Sequence, residues 1–152
     1  MKATLLMADA AQWDQAGKVH TLGLGWNVTG SPSPAMALTV LIDCPWDQTN
    51  TSHKFTIDLL DSDGSPVSFQ QGPLGQPLPA VHIEGEFEVG RPPGLPHGSS
   101  LRQQLVINIA PGMPLTPGQN YEFRLTIDDE HFDSWLGTFF VRPQQAAPQP
   151  SH

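Results

Sequence analysis

The sequence predicts an all-β, mainly antiparallel sandwich of about eight strands, and three observations carry that reading. Apolar residues recur at every second position in several separate runs, the period of a half-buried strand. The 152 residues include 16 Pro and 14 Gly but only 14% charged side chains, a composition suited to short strands joined by turns and not to long solvated helices. The run Met113 to Asp128 combines both features. Its Pro117-Gly118 turn precedes Tyr121, Phe123, Leu125 and Ile127, which alternate with Glu122, Arg124, Thr126 and Asp128.

The elements follow in order. Residues 3–8, ATLLMA, read as a first strand, having no capping residue before them. After Gly17-Lys18, residues 19–29 read as one longer strand, with Leu22, Leu24, Trp26 and Val28 on one face and Gly23 and Gly25 baring the other. Glycines inside a strand suggest close approach by a neighbour or partner. GSPSP at 30–34 is a loop, and 35–42 is apolar on both faces, as a central strand covered on two sides should be. A polar connection, DCPWDQTNTS at 43–52, contains Trp46 as its exception. Residues 54–61 form a strand with Phe55, Ile57 and Leu59 inward, and DSDGSP at 61–66 turns it into a short strand around Val67 and Phe69.

Residues 70–80, QQGPLGQPLPA, read as a loop or sheet-edge excursion. Residues 81–89 alternate again, with His82, Glu84, Glu86 and Glu88 outward; GRPPGLPHGSS at 90–100 is the second long loop. Residues 101–109 resume a strand, followed by the 121–128 strand, the acidic connection 128–133 and a last strand at 135–142. One domain, 1–143, is expected, with a disordered tail at 144–152 because QQAAPQPSH has no apolar pattern.

The spacing of Leu115, Pro117, Gly118 and Tyr121 resembles the tyrosine corner of fibronectin type III and immunoglobulin-like domains. The resemblance implies a hydroxyl sent back to upstream backbone. It departs from antibody domains at Phe123, where a cysteine would stand, so no inter-sheet disulfide is implied. A-D-A at 8–10, G-K at 17–18 and G-L-G-W at 23–26 together resemble the opening of a family of small uncharacterised bacterial proteins. That resemblance implies a bacterial, cytoplasmic, sandwich-like protein and supplies no activity, cofactor or catalytic residue.

Charge narrows the partners. The formal net charge is -8, so the long-range field repels nucleic-acid phosphates and anionic lipid. Cys44 is the single cysteine, which leaves no internal disulfide and no cysteine-based zinc cage. The opening MKATLLMADAAQWD has an apolar run too short for a secretory core or a membrane span, so a soluble cytoplasmic protein is expected.

Catalytic signatures are missing. D-S-D-G at 61–64 resembles half a calcium loop, but no bidentate glutamate follows and D-G is a common hairpin turn. The His82, Glu84, Glu86 and Glu88 row spaces its side chains about 6.6 Å apart, too far for neighbours on one strand to chelate an ion. That row reads as a solvated face that deters edge pairing. Pro45 follows Cys44, and no glycine elbow surrounds a serine or cysteine. No metal and no cofactor are expected.

The leading expectation is a non-enzymatic interaction module that engages a protein partner, or a second copy of itself, through the loops 70–80 and 90–100 or through a sheet edge. Trp46, Phe69, Arg91, His97 and Trp13 are its candidate binding residues, since aromatic and arginine side chains in loops are enriched at partner surfaces. The alternative is a small-molecule or carbohydrate-binding, possibly hydrolytic, sandwich in which Trp46 or Trp13 works with the carboxylates of 128–133.

Overall fold

The computed structural model describes residues 1–144. The expected disorder of the 144–152 tail lies outside the described residues, apart from Gln144. The described residues form twelve short strands: β1 (Lys2–Ala8), β2 (Ala10–Trp13), β3 (Val19–Leu22), β4 (Val28–Thr29), β5 (Met36–Cys44), β6 (Ser52–Asp61), β7 (Ser68–Gln71), β8 (Pro77–Pro79), β9 (His82–Glu88), β10 (Leu101–Ile109), β11 (Asn120–Ile127) and β12 (Leu136–Val141). A three-stranded sheet in the order β1-β5-β10 faces a five-stranded sheet in the order β4-β12-β11-β6-β9. Two hairpins, β2-β3 and β7-β8, stand outside these layers. Every pairing within the layers is antiparallel except β4 with β12. No helix among the described residues is long and apolar enough to cross a membrane.

The core lies between the sheets. Met36, Leu38, Val40, Ile42 and Cys44 on β5 meet Ile57 and Leu59 on β6, Phe123 and Leu125 on β11, and Phe139 and Val141 on β12. The other face of β5 is closed too, since Ala37 and Thr39 are buried, as the two-sided apolar pattern requires. Glycine permits the closest approach of the layers: a Cβ added at Gly137 would stand 2.5 Å from Leu5 Cδ2 and 2.8 Å from Met7 Sδ.

The expected single strand 19–29 is corrected. The backbone has positive φ at Gly23 (+64°) and Gly25 (+91°), so the chain turns there and splits the run into β3 and β4. Glycine conformation places the turn at both residues; at Gly23 the expected close neighbour is also present, since an added Cβ would run into the Asp9 carboxylate, whereas nothing lies near Gly25. Leu22 and Leu24 are accordingly exposed, not inward. The additional strands come from this split, from β2, which pairs with β3, and from β8, which lies within the expected 70–80 loop and pairs with β7, the short strand expected around Val67 and Phe69.

The turn before β11 is tied to its neighbours. Gly118 adopts φ +81° and its N–H donates to the Val141 carbonyl. Leu115 is buried and its carbonyl accepts from the Ser31 hydroxyl at 2.6 Å. The Tyr121 hydroxyl accepts the Thr116 N–H at 2.8 Å, closing the turn through Pro117 back onto the strand. Tyr121→Phe keeps the buried ring and orphans that N–H, so a loss of about 1 kcal/mol is expected in urea unfolding. An unchanged midpoint would show that water replaces the hydroxyl at no cost.

Candidate functional site

Three of the five candidate residues come together at one end of the sandwich. The connection after β5 begins with Pro45 and winds into a short 3-10 turn, Trp46–Gln48, because Pro45 cannot continue the ladder. Over this turn lies Arg91, first residue of the 90–100 loop after Gly90. Its guanidinium carbon stands 4.2 Å from the Trp46 ring centroid. Its Nε donates to Thr49 Oγ1 at 2.5 Å and its Nη2 to the Trp46 carbonyl at 2.6 Å. His97 packs against the same indole, ring centroids 5.0 Å apart. Trp46 is thus half-buried, with residues near both ends of the Pro/Gly loop gripping it. A planar guanidinium suits this double role, lying flat on an aromatic face while its rim donates hydrogen bonds.

Arg91→Ala removes the stacking contact and two hydrogen bonds, about 1–2 kcal/mol held locally. Amide exchange across residues 90–99 should therefore accelerate about tenfold or more, including the Ser99 N–H that now donates to Pro96. The β11 amides should be unaffected. Equal exchange in the two proteins would mean that the loop is ordered without the clamp.

Beside the clamp sits a pair that sequence reasoning missed. His53, 5% exposed, approaches the Asp128 carboxylate through Nδ1 at 2.6 Å and the Gln48 carbonyl through Nε2 at 2.7 Å. Its ring stacks on Phe87. Burial lowers the pKa of His53, but the Asp128 and Gln48 acceptors outweigh that effect and hold it above the ordinary value. Asp128 feels burial as an upward push, yet His53 and the Lys54 N–H leave its carboxyl below the ordinary range. No local signal links residues 75 apart; the register of β6 on β11 brings them together.

Phe69 and Trp13 lie elsewhere. Trp13 ends β2 and is 45% exposed. Phe69, on β7, borders a cleft of about 370 Å³ shared with Leu78, Val81, Ile109 and Met113. The hairpin carrying it is built by its own hydrogen bonds: the Gly72 N–H donates to the Gln76 carbonyl, the Gly75 N–H to the Gly72 carbonyl, and the Leu74 N–H to Gln76 Oε1. This tip holds Leu74 at 92% exposure, with Phe69 and Leu78 each at 39%. The sequence signals for it were the PLG and QPLP runs, whose prolines and glycines shape the turn while leaving the leucines nothing to pack on.

The acidic features are committed to structure. Asp61 Oδ1 accepts the N–H groups of Asp63 and Ser65, which makes DSDG an Asx-type turn. His82 bonds Asp58 across the β6-β9 pair and Glu84 along its own strand, and its pKa is raised by Asp58 first and Glu84 second. Cys44 is fully buried, and burial raises its thiol pKa. No group of three or more His, Cys, Asp or Glu among the described residues is placed to hold a metal ion.

A search of the curated proteins and a search of the solved structures each find no match. A family model described as a family of unknown function, DUF6941, matches residues 3–136, most of the chain, and the chain belongs to that family.

Proposed function

We propose that the chain is a non-enzymatic interaction module with an immunoglobulin-like sandwich, working in the bacterial cytoplasm, and that it docks on a protein partner through the β7-β8 hairpin and the cleft at its base. The observation that carries this reading is Leu74, almost wholly exposed on a hairpin tip whose backbone is internally hydrogen-bonded. An apolar side chain held out by a rigid turn loses little entropy on binding, which makes it an efficient anchor. Phe69 and Leu78 at the cleft supply the apolar surround.

The immunoglobulin-like assignment is supported by strand order. With β1, β5 and β10 as strands A, B and E, and β6, β11 and β12 as C, F and G, the two sheets reproduce that division. Tyr121, at the start of the strand equivalent to F, makes the backward hydrogen bond of a tyrosine corner. The single buried cysteine is in keeping with a reducing compartment. The alternative, a sugar-binding or hydrolytic site, wants a tryptophan facing carboxylates across a concavity. Of five clefts of about 220–450 Å³ none has a tryptophan in its wall, which favours the interaction reading.

The test uses the full chain as bait in lysate of its source cells, beside Leu74→Asp. A partner enriched by the wild type is then purified and titrated against both proteins. At least a tenfold weaker affinity for Leu74→Asp, with unchanged thermal stability, is expected. A partner that binds both proteins equally, or no enrichment over control beads, would overturn the reading.

A further inference from the structure

The three-stranded sheet ends in β10, which has one unpaired edge and is approached by β2 as well as by β5. β10 is nine residues long, LRQQLVINI, and pairs with β5 on one side; no strand among the described residues pairs with its other side. Its inward phase is fixed by register, Leu105 opposite Val40 and Ile107 opposite Leu38. The β5 partners are fully buried, whereas Leu101, Leu105, Ile107 and Ile109 are only half-buried. A long edge with apolar side chains and unpaired backbone groups is a template for strand addition.

Charge identifies the occupant. The chain carries 15 Asp and Glu against 7 Lys and Arg, yet β10 has no carboxylate, and its one charge, Arg102, is neutralised by Asp43 at 3.0 Å. The opposite layer's edge, β9, has Glu84, Glu86 and Glu88 pointing outward, so two copies meeting there would set like charges face to face. β4 is two residues long, and part of the β1 edge is taken, the Met7 carbonyl accepting the Gly25 N–H. β10 is therefore the long edge at which a second copy brings no like charges of the strand into register.

The strand is also self-complementary. Antiparallel pairing about a two-fold axis at Leu105 sets Leu101 against Ile109, Arg102 against Asn108, Gln103 against Ile107 and Gln104 against Val106 of the other copy. Inward residues then meet inward residues along the whole strand, and no charge faces its like. We propose that β10 is the seam of a homodimer, joining two three-stranded sheets into one of six. The seam spans about 30 Å of strand and falls at the small end of stable interfaces, so a micromolar dissociation constant of about 1–50 µM is expected. Salt should tighten it by screening the repulsion between two chains of net charge -8.

Sedimentation equilibrium of the full chain tests this. Mass should rise from 16.5 kDa towards twice that value across the micromolar range. The pair Gln104→Glu with Val106→Glu sets carboxylates against each other across the seam and should weaken the dimer at least tenfold. Gln104→Lys with Val106→Glu sets opposite charges there and should restore it. Leu105→Cys, self-opposed at the axis within disulfide reach, should give a covalent dimer on mild oxidation. This readout stands even if a charged variant fails to fold. A wild-type monomer at 200 µM, or a dimer indifferent to the charge pairs and uncrosslinked by the cysteine, overturns the proposal.

Discussion

Phe139→Ala should cost about 3–5 kcal/mol, with the urea midpoint falling and the slope unchanged. The ring occupies the meeting point of the aromatic core. It is 1% exposed, and its centroid lies 5.5 Å from Phe123, 5.7 Å from Tyr121 and 5.9 Å from Trp26, the last edge-on at 76°. Truncation removes the transfer energy of the ring and leaves a cavity. β12 cannot move in to fill it, being held between β11 and β4 by ladder hydrogen bonds. Total stability for a domain of this size is about 5–15 kcal/mol, so the change removes a large share. Leu74→Ala is the contrasting control, expected within about 0.5 kcal/mol of wild type because its side chain is already in water. A Phe139→Ala loss below about 1 kcal/mol would mean that the two sheets can close over the gap.

The second large effect depends on pH. Both acceptors of His53, a carboxylate and a carbonyl, need a proton on the nitrogen facing them, so only the imidazolium makes both bonds. The raised His53 pKa adds stability that is full below about 6.5 and is lost as pH rises through the folded-state value. The lowered Asp128 pKa adds stability that is full above about 4 and is lost as pH falls through its folded-state value. The pair therefore contributes most between about pH 4 and 6.5. Asp128→Asn should cost about 1–2 kcal/mol at pH 5.5, a figure trimmed for the 48% exposure of the carboxylate side chain. The cost should shrink towards pH 8.5, where neutral His53 keeps one bond. Urea midpoints of wild type and variant at half-unit steps from pH 4 to 9 give the comparison, and parallel curves would remove the coupling. The Lys54 N–H, which Asp128 Oδ1 accepts at 3.0 Å, keeps an acceptor in the amide oxygen of the variant, so the substitution reports on the His53 bond.

Much of the architecture is legible in side-chain period. β5, β6, β9, β10, β11 and β12 lie where alternation places them, because a strand with one buried face must put apolar residues at every second position. The failures share a cause. Leu22, Leu24, Trp26 and Val28 alternate faultlessly, yet Gly23 and Gly25 break that run, since alternation says nothing about the sign of φ at a glycine between the apolar residues. The β7-β8 hairpin carries prolines that suggested a loop; it pairs at the margin of the fold, with a bulge between Ser68 and Gln70, where a proline without an N–H is tolerated.

Local sequence settles the all-β class, the phase of the core strands, the turn chemistry before Tyr121 and the acidic character of the chain. All of these depend on residues close in the chain. Strand packing is what sets Arg91 and His97 against Trp46, brings His53 to Asp128, leaves Leu74 clear of the body and makes β10 an edge. Those facts follow from which strands neighbour one another and from what is left uncovered, and long-range pairing leaves no periodic mark on the chain that makes it.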